Sequence, residues 1–126
     1  MSKSQFAFAE AHSVYIREAI KARKDKNKDK AYWGFRIDEP EAVLAPGDVV
    51  GAGRTKRMTF AQAQALFDET GDYESHSDIV VAVRAGEADL IGGNVSDSVT
   101  MKTLKLDSKG RIQDKKNLSF VVMKLL

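Results

Sequence analysis

The stretch SHSDIVVAVRAGEADLIGGNV, residues 75–95, decides the fold class. Two runs of aliphatic and β-branched residues flank a short polar connection at Gly86, a pattern that predicts a β-hairpin. A turn at Gly86 pairs Asp78 with Asn94 and His76 with Ser96. In that register His76 and Asn94 share one face as diagonal neighbours, about 7 Å apart. An asparagine at that distance can orient an imidazole that acts as a base.

A structural role is the alternative interpretation of the same residues. His76 then ends a loop and caps the strand, and Gly92, Gly93 and Asn94 form a bulge or turn. Spacing alone favours this second interpretation, and a one-residue slip in register would place His76 and Asn94 on opposite faces. The other histidine, His12, falls within a predicted helix. The two histidines lack the spacing of a metal motif, so the sequence predicts no metal and no cofactor.

The rest of the chain alternates helical and strand patterns. Apolar residues at three- and four-residue spacing predict an amphipathic helix over residues 7–25. A shorter helix is predicted in TFAQAQALFDETG, where Thr59 caps the start, Gln62 completes a capping box and Gly71 ends the helix. Further strands are predicted in AYWGFRID, VVGAG, TMKTLKLD and LSFVVMKLL, with RAGEA and DSKGR as hairpin connections. The prediction is one α+β domain, residues 1–126, with an N-terminal helix packed on a mainly antiparallel sheet of five to six strands.

Composition excludes several classes of function. The 126 residues carry a formal net charge of +2, from 20 basic and 18 acidic side chains, so no overall field favours nucleic acid. The sequence contains no cysteine, which excludes disulfides, thiolate metal sites and a cysteine nucleophile. No stretch approaches the roughly 20 apolar residues of a membrane span, and the N-terminus lacks the pattern of a signal peptide. The sequence as written predicts a soluble, cytoplasmic protein, with export by another route left open.

Five ordered motifs indicate a family: AEAHSVYIREAI, YWGFRIDE, APGDVV, HSDIVVAV and IGGNVSDSVTMKTLKLDSKGR. Together they resemble the C-terminal part of the bacterial domain of unknown function 2272. More distantly, the pattern is similar to CHAP amidases and NlpC-like peptidases of the papain type. The resemblance implies a papain-like amidase core with His76 as general base and Asn94 as its orienting partner. It also implies that the Pro46-Gly47-Asp48 turn leads into a strand lining the site, with Asp78 and Ser96 as neighbours of that site.

The chain departs from the amidase pattern at the nucleophile. In those enzymes a cysteine at the start of a helix attacks an amide carbonyl, assisted by the helix dipole and a histidine. That helix lies upstream of the block beginning here at Phe6, which leaves only MSKSQ before it. The expectation is therefore an amidase core without its nucleophile helix. Ser4 and Ser13 are poor substitutes, because neither lies in a GxSxG elbow.

Three hypotheses follow. The first is a domain related to peptidoglycan amidases or endopeptidases that keeps the His-Asn half of the site and hydrolyses little or nothing by itself. The second is a non-catalytic module that binds cell-wall peptide, glycan or a protein, with Trp33, Tyr32 or Tyr73 as contact residues. The third is a fragment completed by another polypeptide that supplies the missing helix, which would leave an apolar patch on this chain.

Overall fold

The structure is a computed structural model that describes residues 8–29, 31–53, 58–69, 75–93, 99–113 and 117–125. Its two α-helices are α1, Phe8–Lys24, and α2, Phe60–Ala65, and a 3₁₀ turn at Leu66–Asp68 extends α2. The strands are β1 (Tyr32–Arg36), β2 (Val49–Gly53), β3 (Ser75–Arg84), β4 (Glu87–Gly93), β5 (Val99–Lys105) and β6 (Ser119–Leu125).

All six strands form one antiparallel sheet in the order β1-β6-β2-β3-β4-β5. This architecture confirms the predicted α+β class with an N-terminal helix on an antiparallel sheet. One predicted connection is wrong in part. The DSKGR segment does form a tight turn closed by a bridge between Leu106 and Ile112, but β5 and β6 lie at separate places in the sheet. The chain leaves β5 at one edge and returns as β6 between β1 and β2.

The β3–β4 hairpin forms as predicted, but its register differs by two residues. The turn is Ala85–Gly86, with φ of +82° at Gly86, and Arg84 pairs with Glu87. A bulge between Val80 and Ala82 then shifts the ladder, so that Val80 pairs with Leu90 and Ile79 with Ile91. The next position brings Gly92, not Asn94, opposite Asp78. A shift of two residues preserves the face on which each side chain lies.

The sheet buries a different apolar cluster on each face. On one face, Ile16, Ala19 and Ile20 of α1 pack against Val121 and Met123 of β6. On the other face, Val50, Val80, Leu90, Leu104 and Val122 pack with residues from the connections that follow β1 and β5. Because β-strand side chains alternate between faces, His76 and Asp78 fall on the second face together with Val80. Helix α1 therefore lies across the sheet from them.

Helix α1 covers only part of its face. Paired residues of β3, β4 and β5 continue the row beyond it: Ile79 pairs with Ile91, and Ile91 pairs with Met101. Ile79 and Met101 are 53% and 64% exposed. The outer three strands thus present an apolar row to solvent beside α1.

The shorter helix has the predicted start. The Thr59 side chain accepts a hydrogen bond from the Gln62 backbone, and the Gln62 side chain accepts one from the Thr59 backbone. This reciprocal pair satisfies two backbone donors that a helix start leaves without partners. Gly71, the predicted stop, lies outside the described residues. Within the described ranges, no helix is long and apolar enough to cross a membrane.

Candidate functional site

A buried carboxylate lies at the centre of the site. Asp78 is 2% exposed, and its neighbour across the β2–β3 ladder is the equally buried Val50. Burial of an ionised carboxylate among apolar side chains costs several kcal/mol, roughly, unless partners compensate for the lost hydration. An aspartate at this position therefore requires positive or hydrogen-bonding partners.

Two side chains provide that compensation. His76 Nε2 lies 2.8 Å from Asp78 Oδ1, and Lys102 Nζ lies 2.7 Å from Asp78 Oδ2. The lysine contact is an ion pair that does not meet hydrogen-bond geometry. His76 precedes Asp78 on the same strand by two residues, whereas Lys102 reaches it from β5, two strands away. The carboxylate therefore lies between an imidazole and an ammonium group.

Gly92 makes the space for this cluster. A Cβ built on Gly92 would overlap Asp78 Oδ1 and would lie 2.9 Å from His76 Nε2. Since β4 lies between β3 and β5, any side chain at this position would also fill the gap over which Lys102 approaches Asp78. The site thus depends on a missing side chain as much as on the three that are present.

The charges within the cluster determine the ionisation of Asp78. Burial by itself opposes the charged form and would raise the pKa of Asp78, but the contacts with His76 and Lys102 outweigh it and lower the pKa below its ordinary value of 3.8. Asp78 is consequently an anion at neutral pH. An anion of this kind can only accept hydrogen bonds.

The site is partly open to solvent. The side chains of His76 and Lys102 are 27% and 30% exposed, while Asp78 is enclosed. A histidine held by a carboxylate and reachable from solvent can accept and return a proton. Among the described residues, no group of three histidine, cysteine or acidic side chains is arranged to hold a metal ion.

The turn that contains Asp48 leads into β2, which pairs with β3 as the resemblance implies, but the Asp48 side chain lies away from His76. It is 2% exposed, accepts hydrogen bonds from the backbone N–H groups of Ala45 and Leu125, and pairs with Lys124. It lies immediately before β2, whereas His76 pairs with Ala52 near the other end of that strand. The Pro46-Gly47-Asp48 turn therefore fastens the end of β6 and does not join the His76 cluster.

The remaining predicted residues divide into two groups. Trp33 is half-buried against the cluster around Val50, and its indole N–H donates to the Asn27 carbonyl oxygen at 2.9 Å. The Tyr32 hydroxyl donates to the Gly47 carbonyl oxygen at 3.0 Å. The other predicted residues lie outside the described part of the chain: Asn94, Tyr73 and Ser96.

A cleft of about 340 Å³ lies on the opposite face of the sheet, between α1 and the strands. Tyr15, Glu18, Val49 and Ser77 are among its lining residues. Ser77 follows His76 directly on β3, so the two side chains point to opposite faces. This cleft and the His76 cluster are separate features of the molecule.

The sequence pattern indicates only part of the cluster. Asp78 was assigned to the neighbourhood of the site, yet the two-residue period of a strand already places it on the face of His76. Lys102 was missed, since nothing in TMKTLKLD distinguishes an inward lysine from an outward one without the pairing of β4 with β5. Gly92 was read as a turn or bulge residue, and its steric role appears only in three dimensions.

The comparisons with known proteins give one match. The family model described as an uncharacterized protein conserved in bacteria (DUF2272) matches residues 2–123. No curated protein and no solved structure is similar enough to match the chain. The match covers nearly the whole sequence and confirms the family that the five motifs indicate, while the assignment to the C-terminal part of that domain and the relation to CHAP and NlpC-like enzymes stay predictions. The chain therefore belongs to the bacterial family DUF2272.

Proposed function

We propose that this chain is a domain related to peptidoglycan amidases and endopeptidases, and that His76 supplies the acid–base half of amide hydrolysis. The contact between His76 and the buried Asp78 carries the proposal. A carboxylate that orients an imidazole is a recurrent arrangement in hydrolases, because it fixes the ring and stabilises its protonated form. The motif resemblance adds the substrate class, an amide bond of the cell wall.

The chemistry must proceed without a thiol, since the chain contains no cysteine. In the simplest balanced step, His76 takes a proton from water as the water oxygen bonds to the amide carbonyl carbon. The C–N bond then breaks, and the same proton passes to the departing amine. Without an activated nucleophile on the protein, we expect slow turnover by the isolated chain.

Purified sacculi provide the direct test. Wild-type protein and His76→Ala are incubated with peptidoglycan, and released muropeptides and new amino groups are quantified by mass spectrometry. Val83→Ala is the matched control, because Val83 is an exposed residue near the far end of the same strand. We expect slow release by the wild type and by the control, reduced at least about 100-fold by His76→Ala, the low end of the contribution of a general base.

Two results would overturn the proposal. One is equal release by His76→Ala and the wild type, and the other is no release by saturating wild-type protein after prolonged incubation. Sedimentation with sacculi that is unaffected by His76→Ala, without any release, would instead favour the non-catalytic binding module. Trp33 and Tyr32 each donate their hydrogen to a backbone carbonyl oxygen, which leaves the ring faces and the acceptor capacity of the Tyr32 hydroxyl for a carbohydrate ligand.

The completed-fragment hypothesis also has one observation in its favour. It requires an exposed apolar surface, and the row formed by Ile79, Ile91 and Met101 is such a surface. The row lies on the face of α1, across the sheet from His76. A polypeptide bound there would lie across the sheet from His76 and would not bring a nucleophile to it, so the row supports binding of a partner rather than completion of the amidase site.

A further inference from the structure

We propose that Asp78, rather than Asn94, is the positioning residue of this site, and that Nδ1 of His76 is the atom that exchanges the proton. The assignment of a reaction to that atom rests on the proposed function. The arrangement of His76 and Asp78 does not, and it can be measured whether or not the protein hydrolyses anything.

The contact with Asp78 determines the tautomer of His76. A neutral imidazole carries one proton, and the hydrogen bond made by one ring nitrogen decides where that proton lies. Asp78 Oδ1 is a carboxylate oxygen 2.8 Å from Nε2, so it accepts a hydrogen bond and keeps the proton on Nε2. Nδ1 then bears the lone pair and is the basic nitrogen.

The surroundings of Asp78 hold its carboxylate in place. Its side chain is 2% exposed, and its position is bounded by Gly92 on one side and by the Lys102 ammonium on the other. A carboxylate enclosed in this way cannot rotate freely out of contact with the imidazole. Asn94 could orient the ring by its amide oxygen or its amide nitrogen, so it does not dictate one tautomer. A carboxylate dictates one, because it has no proton to donate.

Lys102 determines which side-chain atom of residue 78 faces His76. Lys102 can only donate hydrogen bonds and carries positive charge, so it favours an oxygen at the Oδ2 position. In Asp78→Asn, the amide oxygen is therefore expected to remain beside Lys102, and the amide NH₂ group then faces Nε2. That NH₂ group is a donor, so Nε2 must become the acceptor and the ring proton must move to Nδ1.

The His76 tautomer should therefore reverse in Asp78→Asn, and nitrogen NMR can measure this reversal. Spectra of ring-labelled protein are recorded at a pH where titration shows the imidazole to be neutral, with His12→Gln used for assignment. We expect the proton on Nε2 in the wild type and on Nδ1 in Asp78→Asn. Asn94→Ala and Asp89→Asn should both retain the wild-type tautomer; Asp89 is a carboxylate on β4 that pairs with Arg84.

The wild-type spectrum is decisive even if Asp78→Asn fails to fold. A proton on Nδ1, or a mixture of tautomers, in the wild type would overturn the proposal. So would a change of tautomer in Asn94→Ala together with none in Asp78→Asn. The double variant Asp78→Asn with Lys102→Met offers a second check, because an amide freed from the lysine can face either way and should give mixed tautomers.

Activity separates this proposal from the proposed function. If wild-type protein releases muropeptides, Asp78→Asn should reduce release by up to about 10⁴-fold, the loss found when the wrong histidine tautomer is imposed in a serine protease triad. Activity retained by Asp78→Asn despite a reversed tautomer would overturn the role of Nδ1. If the wild type releases nothing but shows the predicted tautomers, the proposed function fails and the positioning by Asp78 stands.

Discussion

Replacement of Gly92 by alanine should destabilise this protein, although the same change in a strand usually stabilises. Alanine lowers the conformational entropy of the unfolded chain and is favoured over glycine in a strand by roughly 0.5–1 kcal/mol. At Gly92, however, the added methyl group would overlap Asp78 Oδ1 and lie 3.0 Å from Asp78 Cγ, where an ordinary contact is at least 3.4 Å. The carboxylate must move, and both of its charged contacts must lengthen.

The size of the destabilisation follows from the contacts of Asp78 with His76 and Lys102. Hydrogen bonds and ion pairs that involve charged groups contribute about 1.5–3 kcal/mol each when one partner is left buried. His76 and Lys102 are 27% and 30% exposed, so water can partly replace Asp78 as their partner, and the joint loss is nearer about 3 kcal/mol. After the gain from the alanine backbone, we expect Gly92→Ala to lower the free energy of unfolding by about 2 kcal/mol.

Urea denaturation at pH 7, combined with a double-mutant cycle, tests this reasoning. The cycle compares Gly92→Ala in the wild type with Gly92→Ala in the Asp78→Ala background, where the obstructing carboxylate is absent. In that background only the gain from the alanine backbone should remain, so Gly92→Ala should stabilise the protein by roughly 0.5–1 kcal/mol, which gives a coupling energy of about 3 kcal/mol. Gly86→Ala is the control for backbone strain, since Gly86 has φ of +82° and no atom within 4 Å of an added Cβ. Additive costs in the cycle, or a stabilised Gly92→Ala, would refute the steric account.

Three further predictions concern charge and packing. The pKa of Asp78 in the folded protein lies below its ordinary value of 3.8, so the stabilisation by the ionised carboxylate is complete above pH 3.8 and is lost as the pH falls through the folded pKa. In urea titrations, the difference in stability between the wild type and Asp78→Asn should therefore narrow below about pH 4, and a difference that stays constant would contradict this prediction. Asp48→Ala removes the acceptor for two backbone N–H groups and the counter-ion of Lys124. It should lower the free energy of unfolding, measured by chemical denaturation, by about 2–4 kcal/mol, whereas a loss below about 1 kcal/mol would show that water replaces these contacts. Gly51→Ala places a methyl group 2.5 Å from the side chain of Val121 on β6, beneath α1. It should lower the free energy of unfolding by about 1–3 kcal/mol and speed hydrogen exchange in α1, and unchanged exchange in α1 would count against this packing.

The elements of the fold were predictable because local patterns determine them. The period of apolar residues predicted α1, and the Thr59–Gln62 capping box predicted the start of α2. The connection at Gly86 predicted the β3–β4 hairpin. The position of β6 was not predictable in the same way, because the pairing of a strand with partners far away in sequence depends on which faces can be buried together.

The register of the β3–β4 hairpin could not be predicted from the sequence. A turn centred on Gly86 indicated one alignment, but the turn residues are Ala85 and Gly86, and a bulge at Val81 adds a further offset. Each change moves the pairing by one residue, and together they exchange Asn94 for Gly92 opposite Asp78. Neither offset has a clear signature in the sequence, since no proline or asparagine marks the bulge. Because the two offsets together shift the pairing by an even number of residues, His76 stays on the same face of the sheet.

The site itself follows from that register. Asp78 and His76 lie on one strand, and their neighbourhood was readable from the alternation of a strand. The lysine that compensates Asp78 is on β5, separated from β3 by the whole of β4, and it makes contact only because β4 presents glycine at the crossing point. Three strands thus have to be aligned before the charges balance. An alignment error of one residue would leave a carboxylate buried with no cation beside it, at a cost of roughly 3–5 kcal/mol. The polar cluster therefore helps to specify the sheet register that forms it, and a loss of function at Asp78 has to be judged against a loss of correct pairing.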